Sequence, residues 1–259
     1  MSTMRLLLLS YIILHAQSFM FRTPSIGNYN CVRTAPYHPS IHQFGNVGIG
    51  GQLHAQSARC ATRIIDRVAY RGRNMRQEVA HYIVQNLTHK LNDQPVRILE
   101  IGCGVGTFTH ELDVECAKSF EDYNITAVDT SGEMLMYAMD HISDHVELIQ
   151  MNGVDAGVKT ETLYNVAVSV MMFHEMPQVA HEEMLHALLR ATHDNGGEVW
   201  LIDIDPTYTP SRAMLSGEPY VSQYLQTIDE TMKTLSVQNN KTLDTFSIVD
   251  HHVRAWILR

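Results

Sequence analysis

The chain has 259 residues, of which 45% are apolar and 18% are charged, and its 28 acidic side chains outnumber its 19 basic ones, giving a net charge of −9. This composition excludes collagen-like, disulfide-framework and disordered proteins, and the length suits one α/β domain or two small ones. The acidic balance argues against nucleic acid as the main partner, because binding to phosphates favours a basic surface.

The charge is unevenly distributed along the chain. Residues 1–65 contain five arginines and no acidic residue, and the first acidic residue is Asp66. The remainder is therefore more acidic than the chain as a whole. This contrast indicates that the first residues and the rest of the chain serve different purposes.

Residues 1–18 are predicted to be a signal peptide. Arg5 precedes Leu6–Leu14, an almost uninterrupted apolar run that is too short to span a bilayer but is typical of the hydrophobic region of such a peptide. Ala16 and Ser18 supply the small side chains that are expected before a cleavage site.

Residues 19–54 are predicted to be a disordered, transit-peptide-like segment, because they are rich in Arg, Ser, Thr, Asn, Gly and Pro and lack acids. Cleavage before Phe19, followed by such a segment, resembles the bipartite presequence of algae with secondary plastids, which implies a plastid location. An ordinary secretory signal followed by a disordered tail is the alternative. No other segment reaches about 18 uninterrupted apolar residues, so we expect no stable membrane span.

Cysteines and histidines give no metal-binding pattern. Cys31, Cys60, Cys103 and Cys116 form no CxxC pair, so neither a zinc site nor a thioredoxin-like redox site is predicted, and we expect free thiols. The histidines, including the pair His251-His252, lack metal-ligand spacing with a third partner. We therefore predict no metal site.

Residues 55–259 alternate between predicted helices and strands. The segment 55–91 is predicted as two helices that are interrupted near Arg71-Gly72-Arg73. The predicted strands are Val96–Ile101, Ile125–Asp129, Val146–Met151, Val166–Phe173, Glu198–Ile204, Thr242–Val249 and His252–Leu258. The predicted helices between them are Gly106–Phe120, 130–141, one that begins at Pro177, and 210–235.

Strands that alternate with helices imply right-handed crossovers and a mostly parallel sheet that is covered on both faces. No internal repeat or interdomain linker interrupts the pattern. We therefore predict a single doubly wound, Rossmann-like α/β domain over residues 55–259.

A glycine-rich turn and an acidic strand end indicate a nucleoside-containing ligand. Val96–Ile101 leads directly into Gly102-Cys103-Gly104-Val105-Gly106, whose glycines permit a tight turn and close approach of the backbone to a ligand. Asp129 ends the second strand, where a carboxylate can accept hydrogen bonds from both hydroxyls of a ribose. In such sheets, ligands bind beyond the carboxyl ends of the strands.

Charge distinguishes between the possible cofactors. A dinucleotide site prefers G-x-G-x-x-G, whereas this chain has G-x-G-x-G followed by Thr107. Glu100 beside the turn would repel a pyrophosphate, but it would accept a hydrogen bond from a cationic amino group. These features favour S-adenosylmethionine, which has a ribose and an amino group but no phosphate, over NAD. An NAD-dependent oxidoreductase is kept as the alternative.

The segments Leu99–Gly106 and Val128–Ser131 resemble the first two motifs of class I S-adenosylmethionine-dependent methyltransferases. Further segments resemble a chloroplast-type branch related to the ubiquinone and menaquinone methyltransferases: Asn152–Gly157, Phe173–Pro177, Gly196–Pro206 and Gly217–Tyr220. The resemblance covers about residues 60–259 and departs from the family at Asn165, where Asp is common. It implies a seven-stranded sheet with an antiparallel last strand, and methyl transfer by in-line displacement to a quinol, aromatic or lipid-related small molecule.

The resemblance also implies roles for individual residues on the cofactor side. Glu100 and the turn residues Gly102, Cys103, Gly104 and Gly106 would face the methionine part. The other implied contacts are Asp129 to the ribose, Thr130 and Met134 flanking the adenine or ribose, and Asn152, with Gly153, at the adenine. The alternatives are a helix-capping role for Asp129, a core position for Met134, and a purely structural role for Glu100.

The acceptor side is predicted to follow the fourth strand. Methyl transfer needs alignment of the acceptor with the donor, and a general base helps when the acceptor is a hydroxyl or a carbon acid. His174 and Glu175 are the candidates for that base, although a histidine here is often only a wall residue. Glu218, Tyr220 and Tyr224 are candidates for the lid or the acceptor pocket. A non-catalytic binder of the same cofactor is a third hypothesis, and the sequence does not indicate an oligomeric state.

Overall fold

The computed structural model describes residues 27–28, 48–91, 94–159, 163–193 and 196–259. The predicted signal peptide 1–18 lies outside the described residues, as does most of the predicted transit-peptide-like segment 19–54, so both assignments stay predictions.

Seven strands form one sheet at the centre of the described chain. They are β1 Val96–Ile101, β2 Tyr123–Asp129, β3 Val146–Gln150, β4 Val166–Val170, β5 Glu198–Ile204, β6 Leu243–Val249 and β7 Val253–Leu258. Their order is β3-β2-β1-β4-β5-β7-β6, and a two-residue segment, Gly27–Asn28, pairs with the outer edge of β3. Neighbours among β1 to β5 are parallel, whereas β7 runs antiparallel to both β5 and β6. The predicted fold is confirmed.

The described residues contain eight α-helices, of which the first two precede β1. They are α1 Gly48–Val68, α2 Met75–Lys90, α3 Thr107–Ser119, α4 Gly132–Ala138, α5 Gly153–Lys159, α6 Gln178–Ala191, α7 Arg212–Gly217 and α8 Val221–Gln238. Short 3-10 turns occupy Met139–His141 and Phe173–Glu175. None of the helices in the described part of the chain combines the length and apolar character needed to cross a bilayer.

The sheet is buried on both faces, as a doubly wound fold requires. On one face, Leu99 and Ile101 of β1 belong to a cluster with apolar residues of α6 and α8. On the other face, Ile98 of β1 belongs to a cluster with residues of α2 and α3. Successive side chains of one strand therefore pack into two cores on opposite faces of the sheet. This explains why the sequences of the central strands are almost continuously apolar.

The N-terminal part of the fold differs from its prediction in one respect. Helix α1 begins at Gly48 rather than near residue 55, and the amide of Gly48 donates a 2.5 Å hydrogen bond to Glu133 Oε1 at the start of α4. The predicted break between the first two helices is confirmed, because Arg71 and Gly72 adopt left-handed backbone with φ of 55° and 82°.

The start of α4 also differs from its prediction. The helix predicted over 130–141 begins at Gly132, and Ser131 is its N-cap, whose Oγ accepts a 3.2 Å hydrogen bond from the amide of Met134. Asp129 accepts the amide of Ser131, which fixes the chain just before the helix.

Three further features of the fold differ from the prediction: the end of one strand, the continuity of one helix and the presence of another helix. Strand β4 ends at Val170, because Met171 takes a left-handed φ of 56° and directs the chain into the turn that contains Phe173. The segment predicted as one helix over 210–235 is divided into α7 and α8 at Glu218, the C-cap of α7. Helix α5 was not predicted, and the side-chain oxygen of Asn152 accepts the amide of Val154 in its first turn.

The packing of α5 against β1 gives a test of the fold. A Cβ on Gly153 would lie 2.2 Å from Ile101 Cγ2 and 2.9 Å from Met184 Sδ. We expect Gly153→Ala to lower the free energy of unfolding, measured by urea denaturation, by about 1 to 3 kcal/mol because of this overpacking. Gly217→Ala is the control, since a Cβ there meets nothing within 4 Å, and its effect should stay below about 0.5 kcal/mol. Equal effects would contradict this packing.

Candidate active site

The turn after β1 has a backbone that requires glycine. Gly102 and Gly104 adopt left-handed φ of 76° and 53°. A Cβ on Gly102 would lie 2.2 Å from Met172 Sδ, so a side chain is excluded there by packing. A Cβ on Gly104 would meet nothing within 4 Å, which shows that open space lies beside the backbone at this position. The turn therefore offers a close approach of the backbone to a ligand.

Asp129 links the end of β2 to this turn. Its Oδ2 accepts a 2.8 Å hydrogen bond from the amide of Gly104, and its Oδ1 accepts one of the same length from the amide of Ser131. Burial raises the pKa of Asp129, while these backbone amides act in the opposite direction. Ser131, not Asp129, provides the N-cap of α4, so a capping role does not account for Asp129.

Glu100 is a buried carboxylate that lacks a full set of partners. Only 2% of the residue is exposed, and its Oε2 has no hydrogen-bond partner among the described residues. Burial raises the pKa of Glu100 to about 7, the nearby hydroxyl group of Thr109 acts in the opposite direction, and the carboxylate of Asp129 adds to the effect of burial. An acceptor that is buried without a partner is costly, so this position is suited to a ligand that brings a donor, above all a cationic one.

Three predicted cofactor residues have side chains with structural roles. Cys103 is buried in a cluster with Leu135, and burial raises the pKa of its thiol. Met134 is buried with Ala55 of α1, which favours the core alternative for this residue. The buried Asn152 holds the start of α5 through its side-chain oxygen.

Thr130 and Gly106 lie in the loops that follow β2 and β1. Thr130 is half-buried after β2, and its carbonyl oxygen accepts a hydrogen bond from Gln150 Nε2 at 3.1 Å. Gly106 is packed against α4, since a Cβ there would lie 2.8 Å from that of Ala138. The structure therefore brings the ends of β1, β2 and β3 together as predicted.

Helix α1 lies against the glycine turn, which the sequence motifs did not indicate. Arg59 Nη2 donates a 3.3 Å hydrogen bond to the carbonyl oxygen of Val105, and Ala55 belongs to one cluster with Val105 and Met134. Helix α1 thus extends across residue 54, the predicted end of the transit-peptide-like segment, and contacts the candidate cofactor side.

His174 is held by a carboxylate that the sequence analysis missed. Its Nδ1 lies 2.6 Å from Oδ1 of the fully buried Asp203 on β5, and Asp203 Oδ2 also accepts the amide of Phe173 at 2.7 Å. Burial by itself lowers the pKa of His174, but the carboxylate of Asp203, together with Glu175 and Glu218, outweighs it and raises the pKa to about 9. The imidazole is therefore fixed in orientation with its Nδ1 engaged.

Two glutamates lie near the His174 ring. Glu175 Oε1 is 4.0 Å from His174 Nε2, and one ligand atom each of His174, Glu175 and Glu218 lie within 4.8 Å of one another. The structure therefore brings the predicted catalytic pair together with Glu218, which is separated from it in sequence and lies between α7 and α8. These three residues are called the acceptor-side cluster below.

The predicted pocket roles of the two tyrosines have different outcomes. Tyr224 is fully buried and donates a 3.0 Å hydrogen bond to the carbonyl oxygen of Ile204, so the prediction of a pocket-lining side chain was wrong. Its ring contacts the edge of His174 at a centroid distance of 6.3 Å and supports it from the core. Tyr220 is half-buried at the N-cap of α8, next to the acceptor-side cluster in sequence.

Comparison with known proteins finds similarity to methyltransferases over part of the chain. Residues 98–196, from β1 to the loop before β5, match the model of a methyltransferase domain. A segment of 82 residues is 42% identical to the malonyl-[acyl-carrier protein] O-methyltransferase of Halalkalibacterium halodurans and covers 30% of this chain and 29% of that relative. A segment of 58 residues is 40% identical to the tRNA (guanine-N(7)-)-methyltransferase of Clostridium novyi, covering 21% of this chain and 25% of that relative. The chain spans less than a third of the length of these curated relatives.

Solved structures agree on the fold over more of the chain. The plantazolicin methyltransferase BamL, in complex with a triazolic desmethylPZN analog and SAH, matches with a TM-score of 0.58 at 13% identity and covers 80% of this chain and 95% of that one. The CurJ carbon methyltransferase matches with a TM-score of 0.59 at 15% identity, covering 79% and 58%. The described sheet therefore has the Rossmann-like methyltransferase fold.

The environment of Glu100 predicts a pH effect on stability in the absence of ligands. Because the folded-state pKa of Glu100 is about 7 and thus above the ordinary value of 4.5, ionisation of this group opposes folding. The penalty is small at pH 4.5, grows as the pH rises from 4.5 to about 7, and is then constant at about 3 kcal/mol. We expect Glu100→Gln to match the parent at pH 4.5 and to exceed it in urea denaturation at pH 8. A difference that does not change with pH would contradict the burial effect.

Proposed function

We propose that this chain is a class I S-adenosylmethionine-dependent methyltransferase that acts on a small-molecule acceptor. The observation that carries the proposal is the pair of carboxylates at the glycine turn: Asp129, which holds the amide of Gly104, and Glu100, whose buried Oε2 has no partner among the described residues. The family match of residues 98–196 and the fold support the same conclusion.

The residues present fit this cofactor by their chemistry. The unpartnered oxygen of Glu100 provides an acceptor for a cationic amino group, and the half-buried carboxylate of Asp129 provides acceptors for ribose hydroxyls. Gly104 leaves its backbone accessible between them. When bound, S-adenosylmethionine supplies an electrophilic methyl group on a sulfonium. The protein's own task is to bind and align the reactants and to exclude water, since alignment accounts for much of the rate of such a displacement.

The same residues argue against the NAD alternative. A dinucleotide places its pyrophosphate at the glycine turn, over the start of the following helix. Here Glu100 lies buried beside that turn, and a carboxylate at this place would repel a pyrophosphate. Two carboxylates at this place are suited to a ligand that carries positive charge and hydroxyl groups.

The acceptor side is proposed to lie at the turn after β4. Asp203 fixes the His174 ring through Nδ1, which leaves Nε2 on the side of Glu175. We propose that one of these two side chains receives a proton when the acceptor is a hydroxyl or a carbon acid. Both are placed by backbone geometry, because Phe173–Glu175 forms a 3-10 turn that is held to Asp203 by the amide of Phe173.

The acceptor itself is proposed to be a small aromatic, quinol or lipid-related molecule. This class follows from the resemblance of Phe173–Pro177 and Gly217–Tyr220 to the quinone methyltransferase branch. The relatives named above act on a malonyl-carrier protein and on a tRNA guanine, so their names do not agree on one acceptor. The net charge of −9 favours a small molecule over a nucleic acid.

Transfer of a labelled methyl group tests the proposal. We expect the full chain, incubated with methyl-labelled S-adenosylmethionine and a metabolite extract, to transfer label to a small-molecule fraction. Glu175→Gln should reduce the initial rate by a factor of about 100, as expected for loss of a general base, while binding of the cofactor is retained.

Glu182→Gln is the matched control for this assay, because it removes an exposed carboxylate on α6 and should leave the rate unchanged. Absence of labelled product from every extract fraction, despite measurable cofactor binding, would instead support the non-catalytic hypothesis.

A further inference from the structure

We propose that the acceptor-side cluster, His174, Glu175 and Glu218, binds a divalent transition-metal ion. The sequence analysis predicted no metal site, and no motif contains all three residues. The acceptor chemistry inferred below rests on the proposed methyltransferase function, whereas the metal site itself rests on the geometry alone.

The three side chains are placed as ligands of one ion. One nitrogen or oxygen atom from each lies within 4.8 Å of the other two, and His174 Nε2 is 4.0 Å from Glu175 Oε1. Nitrogen and oxygen ligands lie about 2.0 to 2.2 Å from such an ion, so two ligands of one tetrahedral ion are about 3.4 Å apart. The three ligand atoms therefore need to approach one another by up to about 1.4 Å to complete the site.

Asp203 provides the outer support that metal-binding histidines have in proteins. Its Oδ1 is 2.6 Å from His174 Nδ1, and the Asp203 side chain is fully buried. Such a carboxylate fixes the ring orientation and directs the other nitrogen toward the ion. Asp203 is itself held by the amides of Phe173 and Ile204, each at 2.7 Å, so the ring can turn little.

The set of ligands determines the class of ion. One imidazole and two carboxylates suit Mn²⁺, Fe²⁺ or Zn²⁺, whereas Mg²⁺ and Ca²⁺ prefer shells made only of oxygen. The carboxylates of Asp203, Glu175 and Glu218 all act on His174 in the same electrostatic sense, so the negative potential at this point also attracts a cation.

The position of the ion suggests which acceptors the enzyme takes. Glu175 belongs to the turn after β4, where the acceptor is proposed to bind, and Glu218 separates α7 from α8. Three protein ligands leave at least one coordination position open. An acceptor with a hydroxyl or phenolic oxygen fits that position, because the ion both orients the oxygen and lowers the pKa of its hydroxyl group.

Electron paramagnetic resonance with Mn²⁺ tests the site on the full chain. The free Mn²⁺ signal should fall with a stoichiometry of one ion per chain at pH 8, and a tenfold excess of Mg²⁺ should not restore it. Glu218→Gln and His174→Gln should each weaken Mn²⁺ binding at least tenfold. Glu182→Gln, the exposed carboxylate on α6, is the control and should bind Mn²⁺ like the parent.

The outcomes separate this site from the cofactor site. Circular dichroism establishes whether each variant folds. If His174→Gln does not fold because its side chain is buried, Mn²⁺ binding by Glu218→Gln alone tests the metal site. No Mn²⁺ binding, or binding that both substitutions leave unchanged, overturns the metal site. If S-adenosylmethionine binds in a parallel titration while Mn²⁺ does not, the metal site fails and the proposed function stands. If Mn²⁺ binds while S-adenosylmethionine does not, the proposed function fails and the metal site stands.

Discussion

The carboxylate of Asp129 connects the ends of the first two strands, and the cofactor side of the site depends on this connection. One of its oxygens holds the amide of Gly104 in the turn after β1, and the other holds the amide of Ser131 before α4. Parallel strands bring their carboxyl ends to one edge of a sheet, but they do not fix the loops that follow. Here a single side chain fixes two of those loops. The proposed ribose position, the open backbone at Gly104 and the start of α4 are thereby set together.

A second buried carboxylate organises the acceptor side in the same manner. Asp203 at the end of β5 accepts two backbone amides at 2.7 Å and holds His174 through Nδ1. The turn after β4 is therefore tied to the neighbouring strand, as the turn after β1 is tied to β2. The two sides differ in the group that they offer to a ligand. The cofactor side offers a carboxylate oxygen of Glu100, and the acceptor side offers the ring nitrogen of His174 that faces Glu175. The proposed methyl donor and acceptor would thus meet between two rigid loops.

Much of this arrangement was predictable from local pattern. β1 and β5 have the predicted bounds, and Gly102, Gly104 and Asp129 lie together because a strand, a glycine turn and a strand end form one local unit.

The pairing of His174 with Asp203 was not predictable, because the two residues meet only when β4 and β5 become neighbours. The contact of α1 with the turn is likewise tertiary, since it depends on Arg59 reaching Val105 from a helix that carries no motif. Tyr224 was misplaced because its position next to a lid motif in sequence says nothing about which face of α8 is buried.

Isothermal titration of the full chain with S-adenosylmethionine tests the central claim, a site for this cofactor organised by Asp129, most directly. We expect one molecule to bind per chain, and binding to weaken roughly 10- to 100-fold in Asp129→Ala, since about 1.5 to 3 kcal/mol of hydrogen bonding to a charged group is lost. Asp129→Asn, which keeps one acceptor oxygen, should lie between the two, and circular dichroism controls for folding. Absence of binding heat with S-adenosylmethionine, undiminished binding by Asp129→Ala, or binding of NADH in its place would contradict the account.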